Sequence, residues 1–128
     1  MASKGRPYRT VLVEGYEVLI GKGAEENDVW SLAVAEAHDL WLHVAGGTPG
    51  SHVVIRNPDH TTVPKSVVER AAAYAAWYSK ARGTPRVEVH TCLARDVSKP
   101  KGAPAGRVQI RNFSAIKVTP APVPDTID

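Results

Sequence analysis

The side chains of this 128-residue chain with most capacity for chemistry are its five histidines and its 16 lysines and arginines. His43, His52 and His90 fall in β-rich runs and could converge on a metal if those runs are neighbours. No HxH, HxxxH or HExxH pair is present, and most acids that could complete a site cluster near residues 25–28, so hydrogen-bonded or surface roles are favoured over a metal centre. Ser51 and His52 pair a nucleophile type with a base type, but adjacent strand residues point to opposite faces and share a proton poorly. The GKG at Gly21–Gly23 resembles a fragment of a phosphate loop without the Walker spacing or the closing Lys-Ser/Thr pair, and reads better as a turn that starts a helix. The single cysteine, Cys92, excludes an intramolecular disulfide and a cysteine-based zinc cluster, and fits a small buried strand residue in a reducing compartment.

The cations are more informative. The net charge of +3 divides unevenly: residues 1–64 hold 5 Lys/Arg against 8 Asp/Glu, giving −3, while residues 65–128 hold 11 against 5, giving +6. Between Arg95 and Lys117 six cations (Arg95, Lys99, Lys101, Arg107, Arg111 and Lys117) face one acid, Asp96. Such a segment suits a phosphate backbone, with strong salt dependence and little sequence preference; a solubilising loop is the alternative. Lys99 and Lys101 lie in SKPKG, whose proline and glycine predict an exposed, semi-rigid loop.

The elements that must position these groups follow from patterning. The length suits one domain, and 43% hydrophobic with 23% charged residues argues against wholesale disorder. Residues 1–9 read as a flexible basic arm, 10–118 as the folded body and 119–128 as a proline-rich tail. VLVE and EVLI predict a hairpin turning at Gly15, and a helix is expected over Ala24–Ala37 with the stripe Val29, Leu32, Ala33 and Ala37. DLWLHV and SHVVIR, joined by AGGTPG, predict a second hairpin. Ser66 followed by Glu69 reads as a capping box opening a second helix, ended by Gly83 and Pro85. RVEVHTC, RVQI and AIKV supply three further strands. The order predicts an α+β fold, a largely antiparallel sheet with two helices packed on one face.

Alternation divides the strands into two faces. Leu40, Leu42, Val44, Val53, Ile55, Val87, Val89, Val108, Ile110, Ile116 and Val118 are expected to face the helices. The opposite face collects Trp41, His43, His52, Arg56, Arg86, Glu88, His90, Arg107, Gln109, Arg111 and Lys117. Aromatic and basic groups together can stack on bases and neutralise phosphates; the other reading is a solvated sheet face with Trp41 partly covered by a loop. The longest apolar run, Ala71–Tyr78, is far short of the roughly 20 residues that cross a bilayer. With no secretory h-region, a cytoplasmic protein without a membrane partner is expected.

The runs GAEEND, DLWLHVAGGTPGSHVVIR, VVERAAAYAAWYSKAR and VEVHTCLARDVSKPKGAPAGRV, in this order over about Val13–Val118, resemble the NFACT-R domain. This is the RNA-binding domain of the NFACT ribosome quality-control factors. Positions matching its motifs are Asn27, Asp28, Asp39, Trp41, His43, Pro49, Gly50, Ser51, His52, Arg56, Tyr78, Ser79, Lys99, Lys101 and Gly102; Trp30 and His90 depart from its usual pattern. Larger NFACT proteins add an NFACT-N domain, a helix-hairpin-helix unit and a coiled coil, so this chain resembles a stand-alone bacterial version. The resemblance implies a non-catalytic RNA-binding module, with no cofactor, for tRNA or rRNA in translation quality control or RNA modification. The ribosome or an RNA-modifying enzyme would be a further partner. Candidate RNA contacts are Arg95, Lys99, Lys101, Arg107, Arg111, Trp41, His43, His52 and Arg56. A protein-docking adaptor is the alternative, and an enzyme built on His43, His52 and Asp39 a third reading.

Overall fold

A computed structural model describes residues 6–22, 27–104 and 108–124. Strand β1 (Tyr8–Val13) turns directly into β2 (Tyr16–Gly21), with Val13 opposite Tyr16. The two turn residues, Glu14 and Gly15, have φ of 50° and 87°, the left-handed pair that matches the twist of a two-residue hairpin. β1 thus begins two residues before the expected start of the body at Thr10. Helix α1 (Asn27–Val34) is shorter at its C-terminal end than the sequence suggests, and the expected start at Ala24 lies outside the described residues. β3 (Leu40–Val44) and β4 (Val53–Ile55) form the second hairpin pair, and α2 (Lys65–Trp77) follows.

β5 (Val87–Leu93) runs into a 3₁₀ turn, Ala94–Asp96, then β6 (Val97–Ser98), β7 (Gln109–Ile110) and β8 (Ser114–Val118). Six strands form one sheet in the order β1-β2-β4-β3-β5-β8, and every neighbouring pair is antiparallel. The α+β class and the antiparallel sheet are as the sequence indicates. The RVQI run departs from it: β7 pairs with β6 in a separate two-stranded ribbon.

The two helices lie on opposite faces of the sheet, which corrects the expectation of a single helical face. Leu42, Val44, Val53, Ile55, Val87, Val89 and Val118 form one core with Val67, Ala71 and Ala75 of α2. Trp41, Leu19, Val54, Cys92 and Val97 form a second with Trp30 of α1. Among the described side chains of α1, Trp30 and Ser31 are buried, whereas Leu32 is 40% exposed. The helix therefore buries a different stripe from the one its leucine suggests.

Ala71–Ala76 of α2 are all buried. Small side chains let this helix lie close on the sheet, and the chain after β8 returns across it: the Ala121 N–H donates to the Ala73 carbonyl at 3.2 Å, and Val123 packs on the core. Part of the proline-rich tail is therefore docked. The capping box does not form. Pro64 is the N-cap without a side-chain bond, and the Ser66 hydroxyl donates to Glu14 Oε2 at 2.7 Å, tying the helix start to the first hairpin turn. Among the described residues no helix is long and apolar enough to cross a membrane.

Leu42 is fully buried between the central strands and α2. Leu42→Ala should lower the unfolding free energy by about 2–5 kcal/mol in urea titration. A loss below about 1 kcal/mol would show that α2 settles into the vacated space.

Candidate nucleic-acid interface

Strand alternation places Trp41, His43, His52 and His90 on one side of the sheet, as the sequence predicts, with Cys92 beside them, but α1 covers part of that side. Trp41 is 3% exposed and His52 1% exposed. The Trp41 Nε1–H donates to His52 Nδ1 at 3.3 Å, and the Ser31 hydroxyl of α1 lies 2.9 Å from the same nitrogen. An indole nitrogen only donates, so Nδ1 is the acceptor and the imidazole proton sits on Nε2. Trp41 and His52 are thus withdrawn from the surface, which corrects their reading as stacking contacts. Their edges supply a hydrogen-bonded joint that fastens α1 to the sheet.

His43 is half-buried beside them, its ring 5.1 Å from that of His52. Its Nε2–H donates to the Gly50 carbonyl at 3.3 Å. Burial pulls its pKa below the ordinary 6.5, aided by nearby His90 and opposed by the Gly50 bond. The buried ring is neutral near pH 7.

Arg56 is held by acids. Its Nε lies 2.9 Å from Asp39 Oδ2, and Nη2 lies 3.5 Å from Glu36. Asp39, 2% exposed, also accepts the Glu36 N–H at 2.9 Å and the Asn57 N–H at 2.7 Å, while its carbonyl accepts the Ala94 N–H at 2.8 Å. One buried aspartate therefore joins three elements, its carboxylate holding the ends of α1 and β4 and its carbonyl the end of β5. Arg56 neutralises it, a positioning role rather than a free phosphate contact.

The basic segment stands out from this base. The ribbon of β6 and β7 rests on the second core through Val97, Val108 and Ile110. Its connection carries an exposed Lys101, while Lys99 donates to the Pro104 carbonyl and closes the loop. Arg95 and Arg111 flank the ribbon, both exposed. The Arg111 N–H donates to the Asp96 carbonyl at 3.0 Å, and the carboxylate of Asp96 accepts from Asn112 at 3.2 Å. The one acid of the segment is therefore buried and engaged. Arg107 lies outside the described residues.

The rings left accessible on this side were not among the candidate contacts. Phe113, the chain's only phenylalanine, is 47% exposed and lies 4.5 Å from the ring of half-buried His90. His90 pairs with His43 on β3 and with Ala115 on β8. Extending the alternation of β8 back two residues would have placed Phe113 beside His90. Cys92, facing Trp41 across the ladder, is buried and its thiol is pushed up to about 11 by burial and by Asp96. It is an inert packing residue. Among the described residues, no three His, Cys, Asp or Glu side chains are grouped to hold a metal ion.

Residues 6–112 match the family described as the NFACT protein RNA binding domain. The chain belongs to this family. It is 37% identical over 124 residues to the Rqc2 homolog RqcH of Bacillus subtilis, covering 91% of this chain and 21% of that protein. It is 29% identical over 109 residues to ribosome quality control complex subunit 2 of Saccharomyces cerevisiae, covering 77% of this chain and 10% of that protein. The chain thus spans about a fifth of the length of its bacterial relatives. The C-terminal part of the fibronectin/fibrinogen-binding protein of Streptococcus suis superposes with a TM-score of 0.81 at 34% identity, over 94% of this chain and 47% of that one. In this NFACT RNA binding domain the motif residues Asp39, Trp41, His52 and Arg56 build the frame, and the basic ribbon stands on it.

The lowered pKa of His43 has a defined sign. The unfolded chain binds a proton near pH 6.5 that the folded protein resists, so stability falls as pH drops below that value. His43→Gln should flatten the dependence of unfolding free energy on pH between 7 and 5; an unchanged slope would assign it to other groups.

Proposed function

We propose that this domain acts as a non-catalytic RNA-binding module in translation quality control, holding tRNA or rRNA chiefly by its phosphates. Ribosomes, or an enzyme that modifies RNA, are the partners this setting implies, and the cytoplasm is the compartment. The observation that carries the reading is the ribbon. Arg95, Lys101 and Arg111 are exposed around an acid that faces inward, on a scaffold of the RNA binding family. A cationic projection of this kind attracts a polyanion through released counterions and reads no bases.

Phe113 with His90 supplies a second kind of contact. An exposed ring backed by a half-buried imidazole can accept an unstacked base. It takes over the part first assigned to Trp41. His43 borders this pair, while Arg56 serves through Asp39.

The test is a titration of the protein against total tRNA, rRNA fragments and duplex DNA over a range of salt. Lys101→Ala with Arg111→Ala should reduce the slope of log K against log salt by about 0.7–0.9 per lost phosphate contact. An unchanged slope would remove the ribbon from the interface. Weak, salt-insensitive RNA binding by the unaltered protein would instead favour the adaptor reading.

Phe113→Ala should weaken binding to single-stranded RNA by about 1–3 kcal/mol per stacked base, with the salt slope unchanged. Equal loss on fully paired RNA would argue that the ring supports the fold rather than a base.

A further inference from the structure

Far from the ribbon, the end of α2 meets the turn after β2 and the segment before β4 around a hollow of about 310 Å³. Lys22, Lys80 and Arg82 line it, with the polar side chains of Tyr78 and Ser79, and among the described residues no acid lines it. The guanidinium of Arg9 lies 4.9 Å from the centre of the Tyr78 ring, adding a fourth cation at the rim. Lys22 is the lysine of the GKG run, whose turn the sequence left without a ligand.

The floor of the hollow is rigid. Gly50 bridges to Ser79, with the Ser51 N–H donating to the Tyr78 carbonyl at 3.1 Å and the Lys80 N–H to the Pro49 carbonyl at 3.0 Å. A Cβ on Gly50 would sit 2.7 Å from that of Ser79, so only glycine allows this approach. A helix C-terminus ordinarily repels anions. Here its carbonyls are occupied: Ala76 accepts from the Ser79 hydroxyl at 2.7 Å, Trp77 from Arg82 Nε at 3.0 Å and Tyr78 from Ser51. What remains facing the hollow is cationic.

We propose that this hollow is a second phosphate site, seating backbone phosphodiesters of the bound RNA between Lys22 and Lys80. The inference rests on the RNA-binding reading and extends it to a surface outside the basic segment. Ile20, two residues before Lys22, stands level with Val53, Leu42 and Thr91 across the ladders, so Lys22 lies level with the middle of β5, three strands away, whereas the ribbon follows the end of β5. The two places are therefore separated by about 13 Å along the strands and about 14 Å across three strand spacings. Phosphate contacts at two separated points fix the orientation of a bound polyanion without selecting its sequence.

The experiment compares the unaltered protein with Lys22→Gln/Lys80→Gln in salt titrations against total tRNA. Circular dichroism monitors folding, and Lys22→Arg/Lys80→Arg serves as the charge-retaining control. The expected result is a slope lowered by about 0.7–0.9 for each lost contact, additive with the loss from the ribbon variant and absent in the arginine control. An unchanged slope in the glutamine variant, while the ribbon variant lowers it, would overturn the hollow and leave RNA binding intact. No salt-dependent tRNA binding by the unaltered protein would overturn both. Inorganic phosphate at constant ionic strength is the remaining probe. Saturable binding that Lys22→Gln/Lys80→Gln abolishes, with tRNA binding unaffected, would assign the hollow to a free phosphate ligand and overturn the RNA commitment.

Discussion

The hydrogen bond from the Trp41 indole to His52 Nδ1, shared with the Ser31 hydroxyl, fastens α1 to two strands that sequence patterning pairs with each other but not with this helix. Trp41 stands on β3, His52 at the entrance to β4 and Ser31 on α1. Each polar atom is buried, and an unmade bond there would carry a desolvation cost of about 1–3 kcal/mol. The joint therefore requires α1 to sit over the sheet. It also supplies the apolar floor, Trp41 with Cys92, on which Val97 and Ile110 anchor the ribbon.

A sheet covered on one face and partly covered on the other has few places for cations. Side chains from the middle of β3 and β4 enter one core or the other, so the charged groups collect at strand ends, on the ribbon and at the end of α2. Asp39 is the exception, and it remains buried because two backbone N–H groups and Arg56 surround its carboxylate. The same distribution explains why matching family motifs does not identify contact residues. Several motif positions serve the frame that presents the contacts.

Much of the fold was legible. Strand alternation correctly grouped Leu42, Val44, Val53, Ile55, Val87, Val89 and Val118 against a helix, because burial with period two leaves a direct imprint on sequence. The second core was not legible. A helix packed through Trp30 and Ser31 shows no long apolar stripe, and its exposed Leu32 points the moment the wrong way. Without that cover, Trp41 and His52 read as surface groups. The Ser66 cap failed for a related reason: the hydroxyl can bond locally or reach another element, and here Glu14, distant in sequence, takes it. RVQI has the composition of a strand, but composition does not name its partner, and β6 is only two residues long.

Charge was the least legible property, since its linear distribution conceals its distribution in space. Lys22 and Arg9 belong to the half of the chain whose net charge is −3, yet they meet Lys80 and Arg82 at one corner. On the paired strands β5 and β8 the accessible sheet is nearly balanced: Glu88 lies 3.2 Å from His90 and opposite Lys117 in the ladder. A single cationic patch would let a polyanion pivot about one point. Two separated patches favour ligands that span both, so shape can discriminate where no base is read.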